Sequence, residues 1–383
     1  MTLGNNSNHD LLKSCHDLID RATQEQLKGF QTSEFGVDCF STRDFCLATR
    51  GLLVAKKENF VKETLEFLLQ NISPQGMIPT YFAADSINNL INKQKGLFSF
   101  LNLKRTVGPM KPHWDNYLAD SAFDTNLFFI KAFTEYCAHT HDFDFFLKNE
   151  DNIKKLYHFY ESKLQNGLIE QPAHSGMWWT NQPAGASFLT NLLYCTITTD
   201  LSGFSLFSDL KERNLFLKRS VYNAFWNEKD SLFRIFLTSE ESLFFDQLLA
   251  LKWNFLDKDE RSFLYGRLIL GQGFKLSEKH LWQNSNLSQQ QKNLFKDDFQ
   301  RNATATSALV LLLKYSIVHN DLERSTILYK LLNKVFEING GLPRYVSSET
   351  LKSTTKAGQV CLLSTCLLLE TFDLLNKIQK YLK

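Results

Sequence analysis

Residues 41–79 read STRDFCLATRGLLVAKKENFVKETLEFLLQNISPQGMIP, and this stretch decides the fold. Apolar residues recur at helical spacing on both sides of a four-residue link, Ala55–Glu58, so the stretch predicts two helices, at about 41–57 and 58–72. A link this short forces the two helices to lie antiparallel. The stretch therefore predicts an α-hairpin that ends in a turn containing Gly76 and Pro79.

The same helical periodicity continues along most of the chain, and strand alternation is rare. The sequence predicts an all-α protein whose helices come in pairs joined by short links, such as Phe255–Lys258. We expect twelve helices, at about 9–29, 41–57, 58–72, 120–141, 149–165, 187–201, 203–225, 242–256, 257–270, 302–320, 322–338 and 357–377.

Similar turns follow the second helix of several pairs, at 74–79, 166–169 and 339–343. Gly in each turn is expected to supply the left-handed residue that ends a helix. Their uneven spacing argues against a regular solenoid. Six α-hairpins can instead close into one (α/α)6 toroid. Its long loops then gather on one rim, where a site is expected, at about 73–119, 166–186, 271–301 and 339–356.

No linker divides the chain, so we expect residues 1–383 to form a single (α/α)6-barrel domain. The stretch 85–112 is polar at first and then basic, and it is interpreted as an inserted flap.

Composition excludes several classes of function. The 43 Lys and Arg against 41 Asp and Glu give a charge of +2, too small to indicate a nucleic-acid or membrane partner. The sequence has neither an apolar run long enough to span a bilayer nor the pattern of a signal peptide, so a soluble cytoplasmic protein is expected. Seven cysteines without a CxxC pair argue against disulfides and structural zinc, and 33 Phe predict thick aromatic packing.

Several short motifs of the sequence resemble those of a known family. The pair Arg43-Asp44, followed by a helix, a second helix and the turn 76–79, resembles the opening hairpin of six-hairpin glycosidases. The closest likeness is to the amylo-α-1,6-glucosidase, or glycogen-debranching-type, group. Further likeness lies in order along the chain, at 120–128, 185–194, 245–250 and 339–343.

The resemblance implies hydrolysis of an α-linked glucoside or oligosaccharide, by an inverting mechanism and without a cofactor. Such enzymes carry an acidic residue in a Trp-rich stretch just before the position of Gly185, but residues 175–182 here read SGMWWTNQ. The Glu that relatives place shortly after the later Pro is also absent from Pro343-Arg344-Tyr345. An active enzyme must therefore use other carboxylates.

Hydrolysis of a glycoside needs two carboxyl groups, one acting as acid and one as base or nucleophile. Asp124 is our candidate acid, because the apolar residues around it would favour its protonated form. Glu349 is our candidate base, as the only carboxylate between Pro343 and the last helix.

Other residues are candidates for binding the carbohydrate. Arg43 is expected to keep the adjacent Asp44 ionised as an acceptor for a sugar hydroxyl. Asp246 and Gln247 interrupt an apolar run and so face either the barrel interior or a neighbouring helix. Aromatic residues in the loops would stack on the sugar, and those we select are Tyr81, Trp114, Trp178 and Trp179.

Several alternatives stay open from the sequence. Asp44 could be a plain helix cap, and Asp124 a buried structural hydrogen-bonding group. The protein could be a degenerate sugar-binding protein that has lost its acid and base, or a helical interaction scaffold. It could also be a sugar epimerase using rim histidines, for which the candidates are His113, His174 and His280. Oligomeric state is not indicated.

Overall fold

The computed structural model of the chain describes residues 5–24, 39–84, 109–115, 122–173, 175, 184–204, 207, 209–239, 242, 244–253, 255–270, 303–347, 350–353 and 361–381. Within these ranges the chain forms thirteen helices and ten short strands.

Six helices form a closed inner ring, in which each packs against the next and the last packs against the first. They are α2 (Thr42–Val54), α4 (Thr125–Thr140), α7 (Phe188–Leu201), α9 (Phe244–Lys252), α11 (Thr306–Val318) and α13 (Leu362–Tyr381). Six further helices pack around this ring. These are α1 (Asn5–Gln24), α3 (Glu58–Gln70), α6 (Glu150–Glu161), α8 (Leu210–Phe225), α10 (Lys258–Leu270) and α12 (Leu322–Asn339). The predicted all-α (α/α)6 toroid is confirmed.

The burial pattern separates inner helices from outer ones. Inner helix α11 is buried on every side from Thr306 to Leu313. Outer helix α6 instead buries a single stripe, at Ile153, Leu156, Tyr157 and Tyr160, which is the spacing of an amphipathic helix. An all-round apolar helix needs neighbours on all sides, and only the inner ring provides them.

All ten strands lie in the connections that lead into the inner helices, and every pairing is antiparallel. One sheet joins β1 (Cys39–Ser41), β2 (Tyr81–Ala83) and β3 (Lys111–His113), and another joins β4 (Leu164–Gln165), β5 (Leu168–Gln171) and β6 (Gly185–Ala186). Two hairpin-like pairs are β7 (Trp226–Asn227) with β8 (Leu232–Phe233), and β9 (Ala303–Ala305) with β10 (Tyr345–Ser347). The amino ends of the six inner helices and these strands together form one rim, which we call the mouth.

Differences from the predicted elements are local. An unpredicted helix, α5 (Phe143–Lys148), lies between α4 and α6. Of the predicted turn glycines, Gly340 does end a helix, with φ of +66° at the end of α12. Gly167, with φ of +80°, follows Asn166 in the turn between β4 and β5 instead. The expected flap at 85–112 lies outside the described residues up to 108, and a single domain stays a prediction.

All seven cysteines are buried free thiols. Burial raises the pKa of Cys15, Cys137 and Cys195 to about 12, which makes these thiols unreactive. Among the described helices, none combines the length and apolar character that crossing a membrane requires.

Candidate active site

The mouth contains buried polar atoms for which the described part of the chain provides no hydrogen-bond partner. Five of them lie in the first turn of an inner helix, or beside it in β5. They are Arg43 Nε (α2), Thr125 Oγ1 (α4), Gln171 Nε2 (beside α7), Asp246 Oδ1 (α9) and Thr306 Oγ1 (α11). Buried polar groups almost always have partners, so these atoms indicate contacts with polar groups beyond the described residues, whether of the chain or of a bound molecule.

Two ion pairs hold the carboxylates of the mouth. Arg43 Nη2 lies 2.6 Å from Asp124 Oδ1, and both side chains are almost fully buried. Arg344 Nη1 lies 2.8 Å from Asp44 Oδ2, joining the start of α2 to the residue before β10. The mouth therefore presents two arginine-bound carboxylates at the starts of neighbouring inner helices.

The sequence-based pairing of Arg43 with Asp44 is wrong. Successive residues of a helix point in different directions and do not face each other. Arg43 reaches α4, while Asp44 meets Arg344, and its backbone N–H is capped by the hydroxyl of Ser41 at 3.3 Å. Sequence reasoning missed Arg344, although a cation just after Pro343 was the available signal.

The sequence predicted Asp124 inside a helix. In the structure it lies directly before α4, whose first residue is Thr125. The preceding carbonyl, of Phe123, accepts a hydrogen bond from the hydroxyl of Tyr160 on α6. The contact with Arg43 favours a charged carboxylate, which accepts hydrogen bonds and does not donate a proton. The acid role expected for Asp124 thus conflicts with its surroundings.

Gln247 holds the backbone of the rim. Its Oε1 accepts from the N–H of Phe233 and its Nε2 donates to the carbonyl of Phe233, both at 2.9 Å. Asn126 and Asn191, which sequence reasoning missed, bind the backbone in the same way, at Ile78 and Gly76 and at Ile169. Three inner helices thus fix the turns in front of them, and we do not retain Gln247 as a sugar contact.

Asp246 differs from the other carboxylates of the mouth. It is the third residue of α9, its exposure is 1%, and its Oδ1 has no partner among the described residues. Burial raises the pKa of this carboxyl group to about 7. At neutral pH, Asp246 is therefore populated both as a neutral acid and as a carboxylate.

The loop aromatics that the structure describes lie beside β3. Tyr81 stacks on His113 with ring centroids 4.8 Å apart, and its hydroxyl donates to Asp115 at 3.1 Å. The Trp114 carbonyl accepts from the hydroxyl of Thr80 and from the N–H of Ala122, which places this loop against the start of α4. Trp178, Trp179 and Glu349 lie outside the described residues, as do His174 and His280.

No known protein family matches the sequence, and no curated protein matches it. Solved structures do match the fold. A rhamnosidase from Klebsiella oxytoca with rhamnose bound has a TM-score of 0.59 and 10% identity, over 94% of this chain and 63% of that chain. The GH63 mannosylglycerate hydrolase from Thermus thermophilus in complex with glucose has a TM-score of 0.60 and 9% identity, over 93% and 99%. A wild-type glycosidase has a TM-score of 0.59 and 13% identity, over 94% and 97%.

At these identities the likeness shows the fold alone. These neighbours are glycosidases, and the chain shares their α/α barrel. It spans under two thirds of the rhamnosidase but almost the whole length of the other two.

Proposed function

We propose that the protein is a glycoside hydrolase that acts on an α-linked glucoside or oligosaccharide, as amylo-α-1,6-glucosidase-type proteins do. The observation that carries this proposal is the ring of buried polar atoms at the mouth, together with the carboxylates Asp44, Asp124 and Asp246. The glycosidase neighbours, one of them in complex with glucose, add support through the shared fold.

The chemistry of the mouth suits a molecule rich in hydroxyl groups. The ring includes donors, at Arg43 Nε and Gln171 Nε2, and an acceptor, at Asp246 Oδ1 when it is ionised. Thr125 and Thr306 add hydroxyls that can both donate and accept. A sugar hydroxyl also does both, so a carbohydrate can satisfy atoms of all three kinds.

We assign binding to the arginine-held carboxylates and to the aromatic residues of the loops. Asp44 and Asp124 would accept hydrogen bonds from sugar hydroxyls, with Arg344 and Arg43 fixing their orientation. Tyr81 and Trp114, with Trp178 and Trp179, would supply apolar surface for the sugar ring. Glu349 remains our proposed base.

We propose an inverting reaction in the cytoplasm. Inversion needs room for water between the two carboxyl groups, which lie about 6.5 to 9.5 Å apart in inverting enzymes. The seven buried free thiols favour a reducing compartment.

The test is a panel of α- and β-glycosides, including α-1,6-linked oligosaccharides, with the anomer of the released sugar followed by NMR. We expect hydrolysis of an α-glucoside with inversion. Glu349→Ala should lower the rate by at least about 10²-fold, and Asp124→Ala should lower it through weaker binding of the sugar.

Three results would count against this proposal. Equal rates in both variants and the wild type would reject the residue assignments. Sugar binding without turnover of any substrate would identify a degenerate binding protein. If the protein shows neither sugar binding nor hydrolysis, the alternative of a helical interaction scaffold remains.

A further inference from the structure

We propose that Asp246 is the proton donor of this glycosidase site, standing on the inner helix opposite the one that carries Arg43 and Asp44. The inference rests on the proposed hydrolase function, and it replaces Asp124 in the acid role.

The order of the inner ring places Asp246 across the mouth from Asp44. The ring runs α2, α4, α7, α9, α11, α13 and back to α2, so α9 is three helices from α2 in either direction. Both residues lie in the first turn of their helices, at the same rim. A bound molecule at the mouth is therefore flanked by them from two sides.

Helix geometry directs both Asp246 and Asp124 towards the barrel interior. Trp253 lies seven residues after Asp246, about two helical turns, and the hydrogen bond from its N–H to the Leu249 carbonyl continues the helix to this point. The two residues share one face of α9. Phe128 lies one turn after Asp124 on α4 and shares its face in the same way.

The rings of Phe128 and Trp253 meet edge to face, with centroids 6.3 Å apart. Because α7 separates α4 from α9 in the ring, this contact crosses the barrel interior. It forms an apolar floor roughly 6 Å along α4 from Asp124 and roughly 10 Å along α9 from Asp246, at 1.5 Å per residue. Both carboxyl groups therefore lie on the mouth side of the Phe128–Trp253 contact.

The two carboxyl groups have opposite surroundings. Asp124 is held by Arg43, whereas Asp246 forms no ion pair with any described cation. The half-buried Arg234, which follows β8, makes no ion pair with it either. The contrast makes Asp246 the carboxyl group suited to donate a proton, and Asp124 one suited to accept hydrogen bonds from a sugar.

Several charged groups on the elements packed against α9 have partners other than Asp246. On α11, Lys314 pairs with Glu370, as does Lys252 of α9 itself. Asp200 of α7 pairs with Lys131, and Tyr194 of the same helix accepts from Arg213. On α10, Arg267 donates to the Asp230 carbonyl and Glu260 accepts from the Asp257 N–H. Burial alone raises the pKa of Asp246, so it carries a proton below about pH 7.

The step balances as an acid-assisted hydrolysis. The glycosidic bond between the anomeric carbon and the leaving oxygen breaks, and that oxygen takes the carboxyl proton of Asp246. Water adds to the anomeric carbon and loses a proton to the base of the proposed site. Solvent then returns a proton to Asp246 and removes one from the base.

The test uses Asp246→Asn, which keeps the size and polarity of the side chain but has no acidic proton. It is assayed on two aryl glycosides of the sugar that the wild type hydrolyses, one with a phenyl and one with a dinitrophenyl leaving group. We expect a loss of at least about 10²-fold on the phenyl glycoside and less than about 10-fold on the dinitrophenyl glycoside, which needs no protonation. Calorimetry should show that the variant still binds glucose, with no more than about a tenfold loss for the altered acceptor.

Asp200→Asn is the matched control, because Asp200 is a half-buried carboxyl group on the neighbouring inner helix, paired with Lys131 near the other end of that helix. It should not distinguish the two leaving groups. Equal losses on both glycosides in Asp246→Asn, or no loss on either, would overturn the inference and leave the proposed hydrolase intact.

The wild type provides a second measurement that does not depend on folding of the variant. Its kcat/KM should fall above about pH 7, where Asp246 loses its proton. A rate that stays flat to roughly pH 9 would contradict a donor with this environment. If the wild type hydrolyses no glycoside at all, the proposed function and this inference fail together.

Discussion

At the scale of single residues, the mouth is organised by arginines that reach other segments of the chain. Arg43 holds Asp124, 81 positions later, and Arg344 holds Asp44, 300 positions earlier. A planar guanidinium fixes a carboxylate in direction as well as in charge. Both acceptors are therefore oriented before any ligand arrives.

We predict that Asp44→Asn weakens sugar binding by about tenfold, because a charged acceptor becomes a neutral amide. The Arg344 contact is weakened by the same change. Calorimetric titration with glucose measures the effect, and cooperative urea unfolding should show that the fold is kept.

The control for Asp44 is Asp373→Asn, which removes a carboxylate from an exposed i,i+4 pair with Lys377. This change should leave glucose affinity as it is. Identical affinity in Asp44→Asn and wild type would show that Asp44 serves the fold and does not contact the sugar.

At the scale of elements, close approach between inner helices decides which residues they tolerate. Gly51, in the last turn of α2, faces α13 so closely that an added Cβ would lie 2.2 Å from the carbonyl oxygen of Cys366. Backbone cannot move aside as a flexible side chain can. The glycine allows the two helices to close the ring.

Gly51→Ala should therefore lower the free energy of unfolding by roughly 2 to 3 kcal/mol, through overpacking. Gly266→Ala is the matched change in outer helix α10, where an added Cβ meets nothing within 4 Å. It should raise the free energy of unfolding by roughly 0.5 to 1 kcal/mol, because alanine is the better helix former. Urea unfolding of both variants measures the difference, and a stabilising Gly51→Ala would refute the packing argument.

At the scale of the whole molecule, buried ion pairs join the inner helices below the mouth. Glu370 of α13 binds Lys252 of α9, at 2.6 Å, and Lys314 of α11. The two lysines outweigh burial and lower the pKa of Glu370 to about 2, from 4.5. Burial lowers the pKa of Lys314, and this cost offsets part of the stability that the ion pairs contribute.

These two ion pairs make the free energy of unfolding depend on pH in the acid range. Because the folded pKa of Glu370 is depressed, its contribution is complete above pH 4.5 and is lost as the pH falls towards about 2. The contribution is on the order of 3 kcal/mol at neutral pH. Glu370→Gln should be less stable than wild type at pH 7, and the difference should shrink by pH 3.

Urea unfolding between pH 3 and 7 measures this dependence. The control is Glu66→Gln. Glu66 pairs with Lys148 at 3.9 Å, and both side chains are more exposed. This variant should change the free energy of unfolding little at any pH. A difference between Glu370→Gln and wild type that does not vary with pH would show that the ion pair is not its source.

The helices and their pairing could be predicted because their signals are local. Apolar spacing along 41–72 and a link as short as Ala55–Glu58 fix a hairpin wherever they occur. Short strands of two to four residues, such as β6, have no such local signal, because their pairing depends on a rim already assembled by the helices. The sequence predicted the start of α4 at about 120, five residues before Thr125, because the chain before this helix also takes its shape from contacts at the rim.

The sequence by itself determined the toroid and the set of polar residues that come to its mouth, including Arg43, Asp44, Asp124 and Asp246. Only the tertiary structure decided which of them pair, because ring closure brings distant segments within hydrogen-bond distance. It gave Arg43 to Asp124 and Arg344 to Asp44. It also left Asp246 buried with no cation beside it among the described residues, and an environment of that kind arises only when all six inner helices surround it.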